Sequence, residues 1–333
     1  MRKKLPYLLI LIVLSSCDKL FIETDPENDE TTCFNIFWSN YDMNYPSFIL
    51  KNIDWDSVKV AGISQIETKG LFIVLQDIGK ILQDGHFEVR ISNALYIWSP
   101  SAHLNRNLNS PVNIKYYITL RDIYTTKIQY GTYNQIGYIS IRDFGLAREY
   151  YEMVSDIIVN QFKDKQGIII DIRDNPGGNS SNGELITSLF AGRKILSFRY
   201  RFRNGPDHND LVDIDHYINP SDKVYFAKPV AVLTNKRCGS ATETFCLDMR
   251  LLPNVFLVGD TTYGSTTDPE FQELPNGWTY RLPVSYIVTT DNKVFEGTGI
   301  PPDYPVWISK EDSIQKKDVI FEKAVELIEN RTR

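Results

Sequence analysis

The feature that most constrains the fold is the stretch Gly167-Ile168-Ile169-Ile170-Asp171-Ile172-Arg173-Asp174-Asn175-Pro176-Gly177-Gly178-Asn179. A run that is apolar almost throughout, with no polar alternation, fits a strand covered on both faces. It passes straight into a glycine pair, where the lack of Cβ atoms lets backbone amides approach a ligand closely. A plain strand-to-helix turn would use the same residues. Strands and helices alternate from residue 135 onward: strand 136–141, helix 147–162, strand 167–172, helix 182–190, strands 195–202, 224–226 and 230–233, helix 241–251 and strand 255–259. That alternation predicts an α/β fold around a sheet buried on both sides.

The N-terminal half reads differently. Phe34, Ile36, Phe37 and Tyr41, then Leu71, Val74, Leu75, Ile78, Ile81 and Leu82, recur at helical spacing, and residues 52–56 offer a helix cap. Residues 33–85 are therefore expected to form a helical cap subdomain. Residues 86–134, with Tyr- and Ile-rich runs broken by Pro100 and Pro111, suit a β-rich connecting region. The main α/β core is expected over residues 135–330.

The first residues, Met1 to Lys4, are basic, Leu5 to Leu14 are apolar, and Ser15, Ser16 and Cys17 follow. This order is that of an export signal over residues 1–16, and the apolar run is too short to span a bilayer. Leu14-Ser15-Ser16-Cys17 resembles the lipobox of bacterial lipoproteins, in which the Cys is acylated. The chain is expected to be lipid-anchored at Cys17 in the bacterial envelope, with residues 17–32 as an acidic tether. Without the three basic residues of the leader the net charge moves from −6 to −9, which argues against a nucleic-acid partner. After Cys17, an odd number of cysteines is left, Cys33, Cys238 and Cys246. No CxxC or HxxxH spacing is present, and His86, His103, His208 and His216 are scattered, so neither a metal nor a cofactor is expected.

A second strand end, residues 230–243, runs Val-Ala-Val-Leu-Thr-Asn-Lys-Arg-Cys-Gly-Ser-Ala-Thr-Glu. Ser240 follows a Gly at the start of a helix, where unpaired N–H groups and the dipole favour a developing anion. A plain N-cap serine would look the same. Ser240 has company, however. Asp171 to Gly178, Asn235 to Glu243, Val258 to Gly264, and Gly299-Ile300-Pro301-Pro302-Asp303 stand in order. Together these segments resemble the tail-specific (C-terminal-processing) proteases, the tricorn protease core and the related retinoid-binding protein of the photoreceptor matrix. The resemblance covers roughly residues 71–306.

The resemblance implies a ClpP/crotonase-like spiral of ββα units and a serine endopeptidase acting on exported or extracellular polypeptides. The alternative it leaves open is a catalytically inactive ligand- or peptide-binding lipoprotein on the same fold. No carboxylate-binding loop of a PDZ domain is recognisable between residues 87 and 129. In the Ser-Lys branch of the family a Lys follows Thr-x-Gly, but here Thr262-Tyr263-Gly264 is followed by Ser265. The tricorn-like branch places its base in a motif similar to Leu82-Gln83-Asp84-Gly85-His86, with an acid just before the Gly-Ile-x-Pro-Asp close, here Glu296. The expected set is therefore Ser240 as nucleophile, His86 as base and Glu296 as orienting acid, with Glu243 as the other candidate acid. Gly177, Gly178 and Ala241 are the expected oxyanion donors, and Asp171, Arg173 and Asn235 the supporting residues. One departure stands out: tricorn carries a Ser before its His, and Gly85 occupies that place.

Overall fold

A computed structural model describes residues 25–92, 95–98, 114–223 and 225–331. In chain order the elements are α1 (Glu30–Asn44), α2 (Trp55–Leu82), β1 (Glu88–Arg90), β2 (Tyr96–Trp98), β3 (Arg121–Tyr124), β4 (Ile128–Tyr133), β5 (Ile136–Ile141), α3 (Arg148–Asn160), β6 (Gly167–Asp171), α4 (Ser180–Thr187), β7 (Ile195–Arg203), β8 (Leu211–Ile218), β9 (Val230–Thr234), α5 (Ala241–Arg250), β10 (Val255–Gly259), β11 (Asp268–Glu273), β12 (Thr279–Thr289), β13 (Tyr304–Pro305), α6 (Lys310–Ile314) and α7 (Val319–Arg331). The class is mixed α/β. Cys17 and the leader, with Pro100, His103 and Pro111, lie outside the described residues.

The central sheet runs β13-β10-β9-β6-β5-β4-β3, with β5, β6, β9, β10 and β13 parallel. Its apolar strands alternate between two cores. Ile168 and Ile170, Val230 and Val232, and Val255 and Leu257 face a core shared with α3, α4 and α5. Ile169, Ala231, Leu233, Phe256 and Val258 face Ile320, Phe321, Ala324 and Ile328 of α7. Burial on both faces is why these strands carry no polar alternation.

A second sheet runs β2-β1-β12-β7-β8, with β11 on β12. Helices α1 and α2 pack on it, and their core joins Phe34, Phe37, Tyr41 and Leu75 to Leu274, Tyr280 and Leu282 from β12 and the turn before it. The N-terminal helices thus share one core with strands some 240 residues downstream; the Tyr41 hydroxyl donates to the Arg281 carbonyl. Asp54 caps α2 by accepting from Ser57 N–H at 3.0 Å. Gly70, at φ 75°, breaks that helix just before the apolar run that begins at Leu71.

Two expectations need correction. The stretch expected to be tether is already helical from Glu30, because Asp29 caps the N–H groups of Thr31 and Thr32. The strand expected at 224–226 is not formed at Tyr225 and Phe226; Phe226 N–H instead bonds the Leu189 carbonyl in an irregular segment. Strands β8, β11 and β12 were not anticipated, and they build most of the second sheet.

Candidate active site

Ser240 stands at the turn between β9 and α5 with φ 56° and ψ −128°, a conformation costly for a residue with a Cβ, on the order of 1–3 kcal/mol. Surrounding loops hold it there. Its N–H donates to the Ser265 carbonyl at 3.0 Å and to Glu243 Oε2 at 3.3 Å. Gly239 N–H donates to the Asn175 carbonyl, and Tyr263 N–H to the Cys238 carbonyl. So held, the Ser240 Oγ lies 3.1 Å from His86 Nε2, across 154 residues of sequence.

His86 sits in the turn between α2 and β1. Gln83 ends α2 in the left-handed region, and Asp84 Oδ1 accepts from His86 N–H at 2.9 Å, which fixes the turn. The ring is buried, and burial pulls the imidazole down to about 4, outweighing the opposing pull of Asp84 and reinforced by Arg281. At neutral pH the ring is therefore uncharged and able to accept a proton.

The other ring nitrogen meets hydroxyls rather than a carboxylate. Nδ1 lies 2.7 Å from Thr267 Oγ1 and 2.8 Å from Ser265 Oγ, and Thr267 in turn donates to Asp84 Oδ1 at 3.3 Å. Glu296 makes no hydrogen bond to His86: its Oε2 accepts from Thr266 N–H at 2.6 Å and from the Thr266 hydroxyl at 3.1 Å, while Oε1 faces Lys51 at 3.8 Å. Burial and neighbouring Asp84 push its carboxyl up. Glu243 does not reach the ring either. Its two oxygens accept from Thr262 Oγ1, Gly264 N–H, Ser265 N–H and Ser240 N–H, so it clasps the loop around the serine. Neither carboxylate expected to orient the base touches it. Gly85 explains part of the difference, since a Cβ there would lie 2.6 Å from Ser265 Oγ and 2.8 Å from its Cβ. The volume that a serine would fill at position 85 is occupied by Ser265 from across the cleft.

The glycine pair follows β6 and abuts the serine. A Cβ on Gly177 would lie 2.7 Å from Ser240 Cβ and 2.8 Å from the Gly239 carbonyl, so only glycine, at φ 114°, allows the approach. Gly177 N–H donates to Asn175 Oδ1 at 2.9 Å. The N–H of Ala241, the first residue of α5, has no partner within its helix. Beneath the pair, Asp171 and Arg173 form a buried ion cluster with Arg142 and Asp318, and the Arg173 guanidinium makes paired bonds to both Asp171 and Asp318. Asn235 ties the two loops together, accepting from Asp174 N–H at 3.0 Å and donating to Asp174 Oδ1 at 2.9 Å.

Ser240, His86, Ser265, Pro176 and Tyr263 line a cleft of about 360 Å³. It adjoins a second of about 540 Å³, lined by Lys51, Lys236 and Glu296, with Gly85 and Tyr263 common to both. The Lys236 ammonium is spent on the Thr262 carbonyl at 2.8 Å, and no lysine bonds Ser240 among the described residues. Sequence reasoning did not single out Ser265, Thr267 or Lys51. Its one available signal was the run Ser265-Thr266-Thr267 where the other branch has its lysine. Among the described residues, no three His, Cys, Asp or Glu side chains come together as a metal-ligand set. The arrangement offers a hydroxyl against an uncharged imidazole, with free helix-terminal N–H density beside it, which suits nucleophilic attack on a carbonyl.

Peptidase family S41 matches residues 135–306 of the 333, a span that includes Ser240 and the glycine pair but leaves out His86. The carboxy-terminal processing protease CtpA of Bacillus subtilis is 29% identical over 173 residues, 51% of this chain and 34% of that protein. The chloroplastic carboxyl-terminal-processing peptidase 1 of Arabidopsis thaliana is 26% identical over 228 residues, 66% of this chain and 42% of that protein. The chain thus spans less than half the length of these curated relatives. Among solved structures, a candidate peptidase from Parabacteroides merdae is similar at TM-score 0.73 and 30% identity, covering 90% of this chain and 97% of that one. With a family match over more than half its residues, enclosing the serine turn and the glycine pair, this chain belongs to peptidase family S41.

Proposed function

We propose that the protein is a serine endopeptidase that cleaves exported or extracellular polypeptides through an acyl-enzyme on Ser240, with His86 as base. The observation that carries the reading is the 3.1 Å approach of Ser240 Oγ to Nε2 of a buried, uncharged imidazole. A serine hydroxyl is a weak nucleophile, so His86 Nε2 takes its proton as Oγ attacks the scissile carbonyl. The tetrahedral oxyanion is stabilised by the N–H of Ala241 and, from the facing loop, of Gly178, Gly177 N–H being engaged by Asn175. His86 then returns the proton to the leaving amine, and water releases the acyl group by the same route in reverse.

The leader pattern supports a lipid anchor at Cys17, which would hold the enzyme at a membrane surface where exported chains pass. No helix among the described residues is long and apolar enough to cross a membrane. The test is hydrolysis of an unfolded polypeptide, with new termini identified by mass spectrometry. Wild type should generate internal cleavages and Ser240→Ala none. Equal cleavage by the folded Ser240→Ala chain would overturn the reading.

A further inference from the structure

Resting on the Ser240–His86 reading, we propose that Asp84, acting through the Thr267 hydroxyl, is the carboxylate that positions the His86 imidazole, and that Tyr45 and Lys51 of the N-terminal helical region hold Asp84 in place. The N-terminal region is then a positioning element of the active site as well as a lid on the second sheet.

For Nε2 to accept the Ser240 proton, Nδ1 must carry the ring hydrogen, and that hydrogen needs an acceptor. Two hydroxyl oxygens lie near Nδ1. Ser265 Oγ is 2.8 Å from Nδ1 but also 3.5 Å from Nε2, too close to both nitrogens to lie along the Nδ1–H bond. Thr267 Oγ1, at 2.7 Å, bonds Nδ1 alone. A hydroxyl that accepts from the ring still has its own hydrogen to give, and Thr267 gives it to Asp84 Oδ1. The order Nδ1–H to hydroxyl to carboxylate fixes ring and tautomer together.

Asp84 is built for that task. Its side chain is fully buried, and Oδ1 also accepts from His86 N–H. Oδ2 accepts from the Tyr45 hydroxyl at 2.9 Å and faces the Lys51 ammonium at 3.7 Å. A buried carboxylate without such partners would be costly. Lys51 is itself fixed by the Leu82 and Gln83 carbonyls, at the end of the helix that leads into the His86 turn. In attack the serine proton moves to Nε2, and the Nδ1 hydrogen stays on the ring, directed at the Thr267 hydroxyl that bonds Asp84. Glu296 and Glu243 hold other loops and, among the described residues, have no path of hydrogen bonds to the ring.

The test compares kcat, KM and pH profile for Thr267→Val, Thr267→Ser, Asp84→Asn, Tyr45→Phe and Glu296→Gln in the full chain, each checked for folding. Thr267→Val should lower kcat about tenfold or more with KM within about twofold, and Thr267→Ser should return it to within about threefold of wild type. Asp84→Asn should lower kcat further and move the acid limb of the profile downward, because an anion favouring the imidazolium is gone. Tyr45→Phe should lower kcat at unchanged KM by less than Asp84→Asn, and Glu296→Gln should also cost less than Asp84→Asn. Wild-type kcat in folded Thr267→Val, no rescue by Thr267→Ser, or a larger loss in Glu296→Gln than in Asp84→Asn would overturn the proposal. Should Asp84→Asn not fold, the Thr267 pair decides. An inactive His86→Ala beside an unimpaired Thr267→Val sinks only this inference, whereas a fully active His86→Ala sinks the Ser–His reading beneath it.

Discussion

Acid should silence this enzyme only well below the ordinary imidazole range. His86 is buried, and its fall from 6.5 to about 4 corresponds to roughly 3 kcal/mol against the imidazolium in the folded state. If the neutral ring is the base, as proposed, kcat/KM for an unfolded polypeptide should be flat from neutral pH down to about 5 and reach half its plateau near 4. Stability follows the same proton. The unfolded chain takes it up from about 6.5 downward while the folded chain resists until about 4, so the contribution of the neutral buried ring is whole above 6.5 and is lost as pH falls toward 4. Activity and unfolding midpoint should therefore be measured at the same pH values, so that a silent folded enzyme is told from an unfolded one. Half-activity at or above 6.5 in a folded chain would mean that the ring is solvated or that the base is another group. A lysine base would show itself by a limb on the alkaline side.

Gly85→Ala should cost about tenfold or more in kcat, because its Cβ would meet Ser265 at 2.6–2.8 Å beside the ring; adding Ser265→Gly should recover part of the loss, and an unimpaired single variant would show the packing argument to be wrong. Asp318→Ala removes one of two carboxylates from the fully buried Arg173 and should destabilise the chain by about 3–5 kcal/mol in denaturant unfolding; a change under about 1 kcal/mol would mean that water or another anion reaches the guanidinium. Cys17→Ser should move the protein from the membrane pellet to the soluble fraction in high salt, and retention in the pellet would remove the lipid anchor from the account.

What the sequence carried and what it hid follow from how local each feature is. The double-faced burial of Ile168 to Ile170 is written in three consecutive residues, and the turn at Gly177 in a residue type that alone tolerates its φ. Ser240 and His86 were legible because each lies in a short motif with its own turn chemistry. The partner of Nδ1 was not, because Thr267 is 181 residues from His86 and one hydroxyl among many. Three carboxylates, at 84, 243 and 296, lie buried around the site, and which of them serves the ring depends on how the loop at 260–267 closes over the 83–87 turn. Strand β8 was missed for another reason: Asp213, Asp215 and an exposed Ile214 make it read as a polar loop, whereas its pairing with β7 draws on Arg199 and Arg201, which bridge Asp215 and Asp213. The run at 224–226 erred in the opposite direction, since so short an apolar run packs equally well without joining a sheet.

If the Ser240 hydroxyl is a nucleophile activated by His86, it should react with an active-site serine probe. Intact-mass analysis after exposure to a fluorophosphonate probe tests this directly. A single adduct is expected on wild type, located to Ser240, none on Ser240→Ala, and labelling slowed by about 10² or more in folded His86→Ala. An unlabelled wild-type chain, or an adduct that persists in Ser240→Ala, would contradict that role for Ser240.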